Sequence, residues 1–170
     1  KFFSSAIDNL KKVAEHNGVD SDRLIFAPTL THKEDHLSRL KLADLFIDTS
    51  PFNAHTTCAD ALQSGLPVVT CIGNSFTSRV AASLLNAVNL PELVTTSLDQ
   101  YELLAIEIAT KPEMLQIIKD KLESNLKTSS LFNTSLYVEH LQSAYLQIYE
   151  LHQKGLDTEV ITVKHDYKPN

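Results

Sequence analysis

Three polar residues, His55, Thr56 and Thr57, stand side by side between an apolar segment and an amphipathic one. The apolar segment, residues 44–49, is typical of a buried strand, and segment 55–65 is typical of a helix. The first backbone N–H groups of a helix have no partner within it, and the helix dipole adds partial positive charge there. Two hydroxyls and an imidazole at such a point favour an anion site, and a phosphate suits it well.

Asp60 follows one turn later, on the same side of the predicted helix as the two threonines. A carboxylate there can accept a hydrogen bond from a ribose hydroxyl, so the group fits a nucleotide. The competing interpretation is helix capping, because Thr and Asp are ordinary residues at helix starts. For Thr56 or Thr57 alone we favour capping. For three polar residues together, directly after a buried strand, we favour a phosphate site.

A second group of possible donors, Lys33, His36 and Arg39, is spaced three residues apart in segment 33–43. That segment is predicted to be a helix, on which His36 and Arg39 are neighbours. Three donors on one helix can hold a nucleoside and its phosphates. They can equally belong to a solvated face, where nearby acidic residues pair with the cations at little energetic consequence. The residues alone leave both interpretations open.

The elements that must position these groups alternate between strands and helices. Apolar runs at 23–27, 44–49 and 66–72 predict buried strands, and 92–96 is a candidate for a further short one. Such alternation indicates an α/β fold of the Rossmann-like type, a parallel sheet with helices on both faces. These sheets bind ligands at the carboxyl ends of their strands, where loops meet helix starts. Both polar groups follow predicted strands and are expected at that edge.

The pattern is helical from residue 98 to residue 154. We therefore predict one Rossmann-like domain at residues 1–155 and a polar tail at residues 156–170. A doubly wound sheet normally opens with a strand, whereas this sequence opens with an amphipathic helix. The predicted domain is therefore a fragment, and we expect its first strand to lie upstream of Lys1.

The composition indicates a soluble globular protein, with 43% hydrophobic residues, 21% charged residues and a net charge of −6. That negative charge disfavours a nucleic-acid or acidic-membrane partner. No apolar run reaches the roughly 20 residues that cross a bilayer, and the start lacks the features of a signal peptide. Cys58 and Cys71 lack metal-site spacing and are expected to be buried thiols. We predict a cytoplasmic protein without a metal.

The stretch "KEDHLSRLKLADLFIDTSPFNAHTTCADALQSGLPVVTCIGNSFTSRVAASLL" closely resembles the C-terminal catalytic half of the O-linked N-acetylglucosamine transferase family. That family includes bacterial members with tetratricopeptide repeats. The resemblance extends to "RLIFAP" upstream and to "LPELVTTSLDQYELLA" and "SSLFNT" downstream, so it covers residues 23–149. The "HTT…D" and "SRVAAS" elements at this separation make the resemblance specific.

The resemblance implies the C-terminal, donor-binding lobe of a two-lobed glycosyltransferase B fold. It implies transfer of N-acetylglucosamine from UDP-N-acetylglucosamine (UDP-GlcNAc) to Ser or Thr of a polypeptide. In this family the helix dipole, hydroxyls and cations stabilise the departing UDP, and neither a metal nor another cofactor is expected. By motif match, the uridine and its ribose or phosphates are held by Lys33, His36 and Arg39.

By the same match, His55, Thr56 and Thr57 hold the diphosphate and Asp60 holds the ribose. Ala54 departs from the pattern, because the family often has a small, glycine-like residue there. The N-terminal lobe, the acceptor site and the acceptor-activating groups are expected outside this chain. The chain alone is therefore expected to be inactive.

Two alternatives to this function stay open. The chain can be a nucleotide-binding or interaction module without catalysis, since intact binding residues do not prove turnover. It can also belong to a related transferase that uses another nucleotide sugar, such as GDP-fucose. His55 before the threonine pair favours UDP.

Overall fold

The computed structural model describes residues 4–157 and 160–163. Its sheet has three parallel strands in the order β1-β2-β3, namely β1 (Phe46–Ile47), β2 (Val68–Cys71) and β3 (Val94–Thr95). The central strand β2 begins with three consecutive buried residues. A strand buried on both faces is typical of a parallel sheet that helices cover on both sides.

The strands are separated by helices, as expected for parallel pairing, which needs crossover connections. Single turns of 3-10 helix occur at Ser21–Arg23, Phe76–Ser78, Pro91–Leu93 and Ser130–Phe132. The α-helices of the described residues are α1 (Ser4–His16), α2 (Lys33–Leu40), α3 (Thr56–Gln63), α4 (Val80–Ala87), α5 (Leu98–Thr110), α6 (Pro112–Leu126) and α7 (Thr134–Gln153).

The chain forms two compact units, residues 1–39 and residues 40–170. The first contains α1 and nearly all of α2, and the second contains the sheet and helices α3 to α7. The prediction of one domain at residues 1–155 stays a prediction. The polar tail predicted at residues 156–170 lies largely outside the described residues.

The predicted strand at residues 23–27 is wrong. Arg23 ends a 3-10 turn, the residues after it are irregular, and the Ile25 side chain is 89% exposed. A strand needs a hydrogen-bonded neighbour, and no described strand pairs with this segment. An apolar run before a proline therefore resembled a buried strand without being one.

The hydrophobic core lies in the second unit, between the sheet and its helices. Leu62 of α3, Leu85 of α4, Ile108 of α5 and Leu122 of α6 are completely buried together with Val68 of β2. Helices α3, α4 and α5 pack against β2, the strand that pairs with β1. The predicted α/β class with a parallel sheet and flanking helices is confirmed.

Candidate functional site

The loop between β1 and α3 is organised by Asp48, whose side chain is only 4% exposed. Its Oδ1 accepts hydrogen bonds from the backbone N–H groups of Thr49 (2.8 Å) and Ala54 (2.7 Å). Its Oδ2 accepts from the Thr70 hydroxyl on β2 at 2.6 Å. One buried carboxylate thus joins both ends of loop 49–54 and fastens them to the central strand. A buried charge held this way is well satisfied, as buried charges must be.

Two neighbouring groups have pKa values that their surroundings raise. Burial, and next the charge of Asp48, raise the pKa of the Cys58 thiol to about 12. Burial, then Asp48 and then Cys71, raise the pKa of Tyr101. The Tyr101 hydroxyl therefore stays a donor at neutral pH, and it donates to the backbone carbonyl of Asp48. Cys58 is buried as the sequence predicts, whereas Cys71 is only partly buried.

Asn53 ties loop 49–54 to the turn before α4. Its backbone N–H donates to the Thr77 carbonyl at 3.0 Å, and its side-chain amide donates to the Thr49 carbonyl at 2.8 Å. The side chain is completely buried, and its Oδ1 has no hydrogen-bond partner in the part of the chain that the structure describes. Asn53 therefore holds the loop in place through its hydrogen bonds to the backbone carbonyls of Thr77 and Thr49.

His55 occupies the N-cap position, one residue before α3 begins at Thr56. Among the described residues, its side chain makes no capping hydrogen bond. The ring stacks on Phe52 with centroids 5.3 Å apart and an interplanar angle of 14°, and it meets the Phe76 ring edge-on at 5.8 Å and 87°. Its Nε2 lies 3.5 Å from the Thr77 carbonyl oxygen.

The structure brings the four residues predicted around this helix start together on α3 and its N-cap. Thr56 and Thr57 are exposed in the first turn, where the helix dipole is positive. Asp60 follows one turn later but is only 9% exposed. The roles of these residues in binding phosphate and ribose stay predictions.

The second predicted group lies on α2, in the other compact unit. Lys33 is the first residue of the helix and is exposed. The Arg39 guanidinium donates from Nη1 to the Pro28 carbonyl at 2.6 Å, and its Nη2 lies 3.2 Å from His36 Nδ1. Because a guanidinium only donates, His36 Nδ1 is the acceptor. His36 and Arg39 are neighbours as the sequence predicts.

Sequence reasoning missed Asp48, Phe52 and Phe76. Asp48 had a detectable signal, because it is an acidic residue at the end of an apolar strand segment. The two phenylalanines gave none, because they lie on separate loops 24 positions apart, a separation that no helical or strand period connects. Arg79, the residue before α4, ties the start of that helix to the preceding loop, since its Nη1 donates to the Gly73 carbonyl at 3.1 Å.

Neither a metal cluster nor a membrane helix is found within residues 4–157 and 160–163. No group of three or more His, Cys, Asp or Glu side chains there could hold a metal ion. No helix there combines the length and the apolar character that crossing a membrane requires. Independence from metals and cofactors stays a prediction.

Comparison with known proteins places these features in context. Residues 1–141 match the family described as Glycosyl transferase family 41. The chain is 32% identical over 155 residues to the UDP-N-acetylglucosamine–peptide N-acetylglucosaminyltransferase of Caenorhabditis elegans, which covers 91% of this chain and 13% of that protein. It is 34% identical over 143 residues to the probable enzyme of the same description, SEC, from Arabidopsis thaliana, covering 84% and 14%.

A solved structure is also similar. A mutant O-GlcNAc transferase from Thermobaculum terrenum superposes with a TM-score of 0.75 at 27% sequence identity, covering 84% of this chain and 27% of that one. This likeness supports the expected lobe of a glycosyltransferase B fold. The chain spans only 13–14% of the length of the two curated relatives above.

Proposed function

Because this chain belongs to glycosyl transferase family 41, we propose that it is the UDP-sugar-binding lobe of a protein O-glycosyltransferase. The whole protein transfers N-acetylglucosamine from UDP-GlcNAc to Ser or Thr of polypeptides in the cytoplasm. The acceptor site and the groups that activate the acceptor hydroxyl lie, in this proposal, outside the chain. Its partners are the nucleotide sugar and a polypeptide, with neither a nucleic acid nor a membrane.

The observation that carries this proposal is the construction of the start of α3. The helix begins after the loop that follows β1, and parallel sheets bind ligands where such loops meet helix starts. Thr56 and Thr57 expose hydroxyls in the first turn, and the His55 side chain does not cap the described helix. Backbone N–H groups, two hydroxyls and an imidazole together suit a diphosphate.

The same arrangement suits catalysis by stabilisation of the leaving group. As the bond between the sugar's anomeric carbon and the diphosphate oxygen breaks, negative charge grows on UDP. Fixed dipoles and donors at the helix start stabilise that charge without reorganising. No metal is needed for this role in our proposal. Asp60 accepts from the ribose, although its limited exposure requires the sugar to approach closely.

In the same proposal, Lys33, His36 and Arg39 of α2 form a second group that can contact a nucleotide. The Arg39 guanidinium is fastened to the Pro28 carbonyl, and it donates to His36, which orients that imidazole. Lys33 at the first position of α2 supplies a cation on an exposed side chain. An oriented imidazole and a lysine can contact a base, its ribose or a phosphate.

Titration with UDP, followed by isothermal calorimetry, tests the proposal. We expect saturable binding by the wild type, and weakening by at least a few-fold in His55→Ala and in Lys33→Ala. The matched controls are His152→Ala at the end of α7 and Lys127→Ala after α6, both exposed and expected to bind like the wild type. Circular dichroism checks that all variants are folded.

Equal affinity in the wild type, His55→Ala and Lys33→Ala would contradict the assignment of these residues. Tighter binding of GDP than of UDP would instead indicate a transferase for another nucleotide sugar. A longer protein that contains this chain and binds UDP, yet transfers no sugar to a peptide, would indicate the non-catalytic module.

A further inference from the structure

The two phenylalanines beside His55 are unusual because both are strongly exposed. Phe52 is 62% exposed and Phe76 is 78% exposed, although large apolar side chains gain by burial. Single exposed apolar residues need no explanation. Here, however, two of them contact the same imidazole from separate loops, one after β1 and one before α4. We call Phe52 and Phe76 the aromatic bracket.

The geometry of the bracket restricts how the imidazole can turn. Phe52 lies nearly parallel to the ring, at 14°, and Phe76 lies nearly perpendicular, at 87°. Stacked and edge-to-face arrangements are the two favoured aromatic geometries. Rotating the His55 ring about its second side-chain torsion breaks the stacked contact with Phe52 and the edge contact with Phe76 together. The two contacts therefore fix the plane of the ring, and the contact of Nε2 with the Thr77 carbonyl distinguishes the two orientations within that plane.

The loops that carry the bracket are themselves held in place. Asp48 joins the two ends of loop 49–54, and the backbone N–H of Asn53 donates to the Thr77 carbonyl. That carbonyl is also the group nearest to His55 Nε2. The imidazole thus has a stacked contact and an edge contact with the two rings of the bracket, and a polar contact with a backbone carbonyl.

We infer that Phe52 and Phe76 are positioning residues that hold the His55 imidazole ready for the diphosphate of the donor. This inference rests on the proposed function, because it assigns His55 a place in anion binding. A side chain already held in its bound orientation loses less conformational freedom when the ligand arrives, which strengthens binding. The bracket acts through His55 rather than by touching the ligand.

The test combines UDP calorimetry with the NMR signals of the His55 ring protons. Phe52→Leu removes the stacked ring, so we expect about two- to tenfold weaker UDP binding, the fold-change that corresponds to one aromatic pair. The His55 signals should move downfield as the ring current is lost. Phe52→Tyr keeps the ring and should restore both values. Phe76→Leu should weaken UDP binding to a smaller extent and shift the His55 signals, and Ile117→Ala, an exposed apolar control on α6, should change neither.

A double-mutant cycle separates positioning from direct contact. If the bracket acts through His55, Phe52→Leu has no further effect on UDP affinity in the His55→Ala background. If Phe52→Leu instead weakened UDP binding as much in the His55→Ala background as in the wild type, the inference would be overturned, because Phe52 would then contact the ligand itself. Wild-type affinity and unchanged His55 signals in Phe52→Leu would overturn it as well.

The proposed function and this inference fail in different ways. Absence of UDP binding in the wild type, or wild-type affinity in His55→Ala, overturns the proposed function and with it the role of the bracket. Normal UDP binding that depends on His55 but not on Phe52 or Phe76 leaves the proposed function standing and removes only the bracket. Thermal unfolding by circular dichroism confirms that each variant is compared in its folded state.

Discussion

The start of α3 and the helix α2 both carry a predicted donor-binding group, but they are constructed differently. The start of α3 rests on the buried carboxylate of Asp48 and on a helix whose Cys58 and Leu62 are fully buried. None of the eight residues of α2, all of them described, is buried, and Arg39 is fastened at the surface to a backbone carbonyl. A binding group can thus be held in place by buried residues, as at α3, or by surface contacts, as on α2. Mutations of the supporting residues should destabilise the chain more in the first case than in the second.

The largest expected effect comes from removing the carboxylate beneath α3. Asp48→Ala leaves two backbone N–H groups and the Thr70 hydroxyl without their acceptor, and each unsatisfied buried donor costs about 1–3 kcal/mol. We expect the free energy of unfolding to fall by about 3–5 kcal/mol. Urea-induced unfolding followed by circular dichroism measures this change.

The matched variant in the other region is Asp35→Ala, which removes an exposed carboxylate from the first turn of α2. Its loss costs at most a favourable interaction with the helix dipole, below about 1 kcal/mol. If the two aspartate variants were equally stable, the contrast between a core-fixed and a surface-fixed group would be wrong.

An intermediate effect is expected in alkali, where the core beneath α3 should weaken. The Cys58 thiol has an ordinary pKa of 9.0 and a pKa of about 12 in the folded chain. Between these values the unfolded chain binds fewer protons than the folded chain, so the free energy of unfolding falls as pH rises. The slope reaches about 1.4 kcal/mol per pH unit. The raised pKa of Tyr101 adds to the fall at higher pH.

Urea unfolding at pH 8, 9 and 10 measures this slope in the wild type and in Cys58→Ala. In Cys58→Ala the free energy of unfolding should fall less steeply above pH 9, because the contribution of the thiol is gone. The contribution of Tyr101 should remain. Parallel curves for the two proteins would show that the Cys58 thiol is not deeply buried in the folded state.

The smallest effect on stability is expected at Arg39. Arg39→Ala removes a surface hydrogen bond to the Pro28 carbonyl and the contact with His36, which together contribute about 1 kcal/mol. UDP affinity should nevertheless fall a few-fold, because the His36 imidazole loses its orientation. Calorimetry and urea unfolding of the same variant measure both quantities, with Arg39→Lys as a partial replacement that keeps the charge.

A loss of unfolding free energy above about 2 kcal/mol in Arg39→Ala would show that α2 is fixed from a core after all. Unchanged affinity would show that Arg39 takes no part in donor binding. The two readouts therefore test the two halves of the comparison separately.

The sequence predicted the elements of the second unit well, because they follow strong patterns. The apolar run at 66–72 became β2, and the helix ended by Gly65 became α3, where Gly65 adopts the positive φ of 81° that favours glycine. The prediction failed at Ile25, whose apolar neighbours suggested burial. Whether an apolar run becomes a strand depends on a hydrogen-bonded neighbour, which local sequence does not reveal.

The features of the candidate site likewise fall into those that the sequence could predict and those that it could not. His55, Thr56 and Thr57 could be found from sequence because they are adjacent at a helix start, a local feature. The contacts of His55 with Phe52 and Phe76 could not, because they depend on how two loops are folded against each other. The place of these residues at a helix start was thus predictable, whereas the long-range packing around them was not.

The way Asp48 holds loop 49–54 has a consequence for evolutionary change. Asp48 contacts the loop only through the main-chain N–H groups of Thr49 and Ala54, and the Thr49 hydroxyl donates to the carbonyl of Phe52 rather than to its ring. The hydrogen bonds described here that shape the loop therefore do not depend on which side chain stands at position 52. Descendants of this gene can therefore exchange that ring, and so change its contact with His55, while the loop that presents it persists.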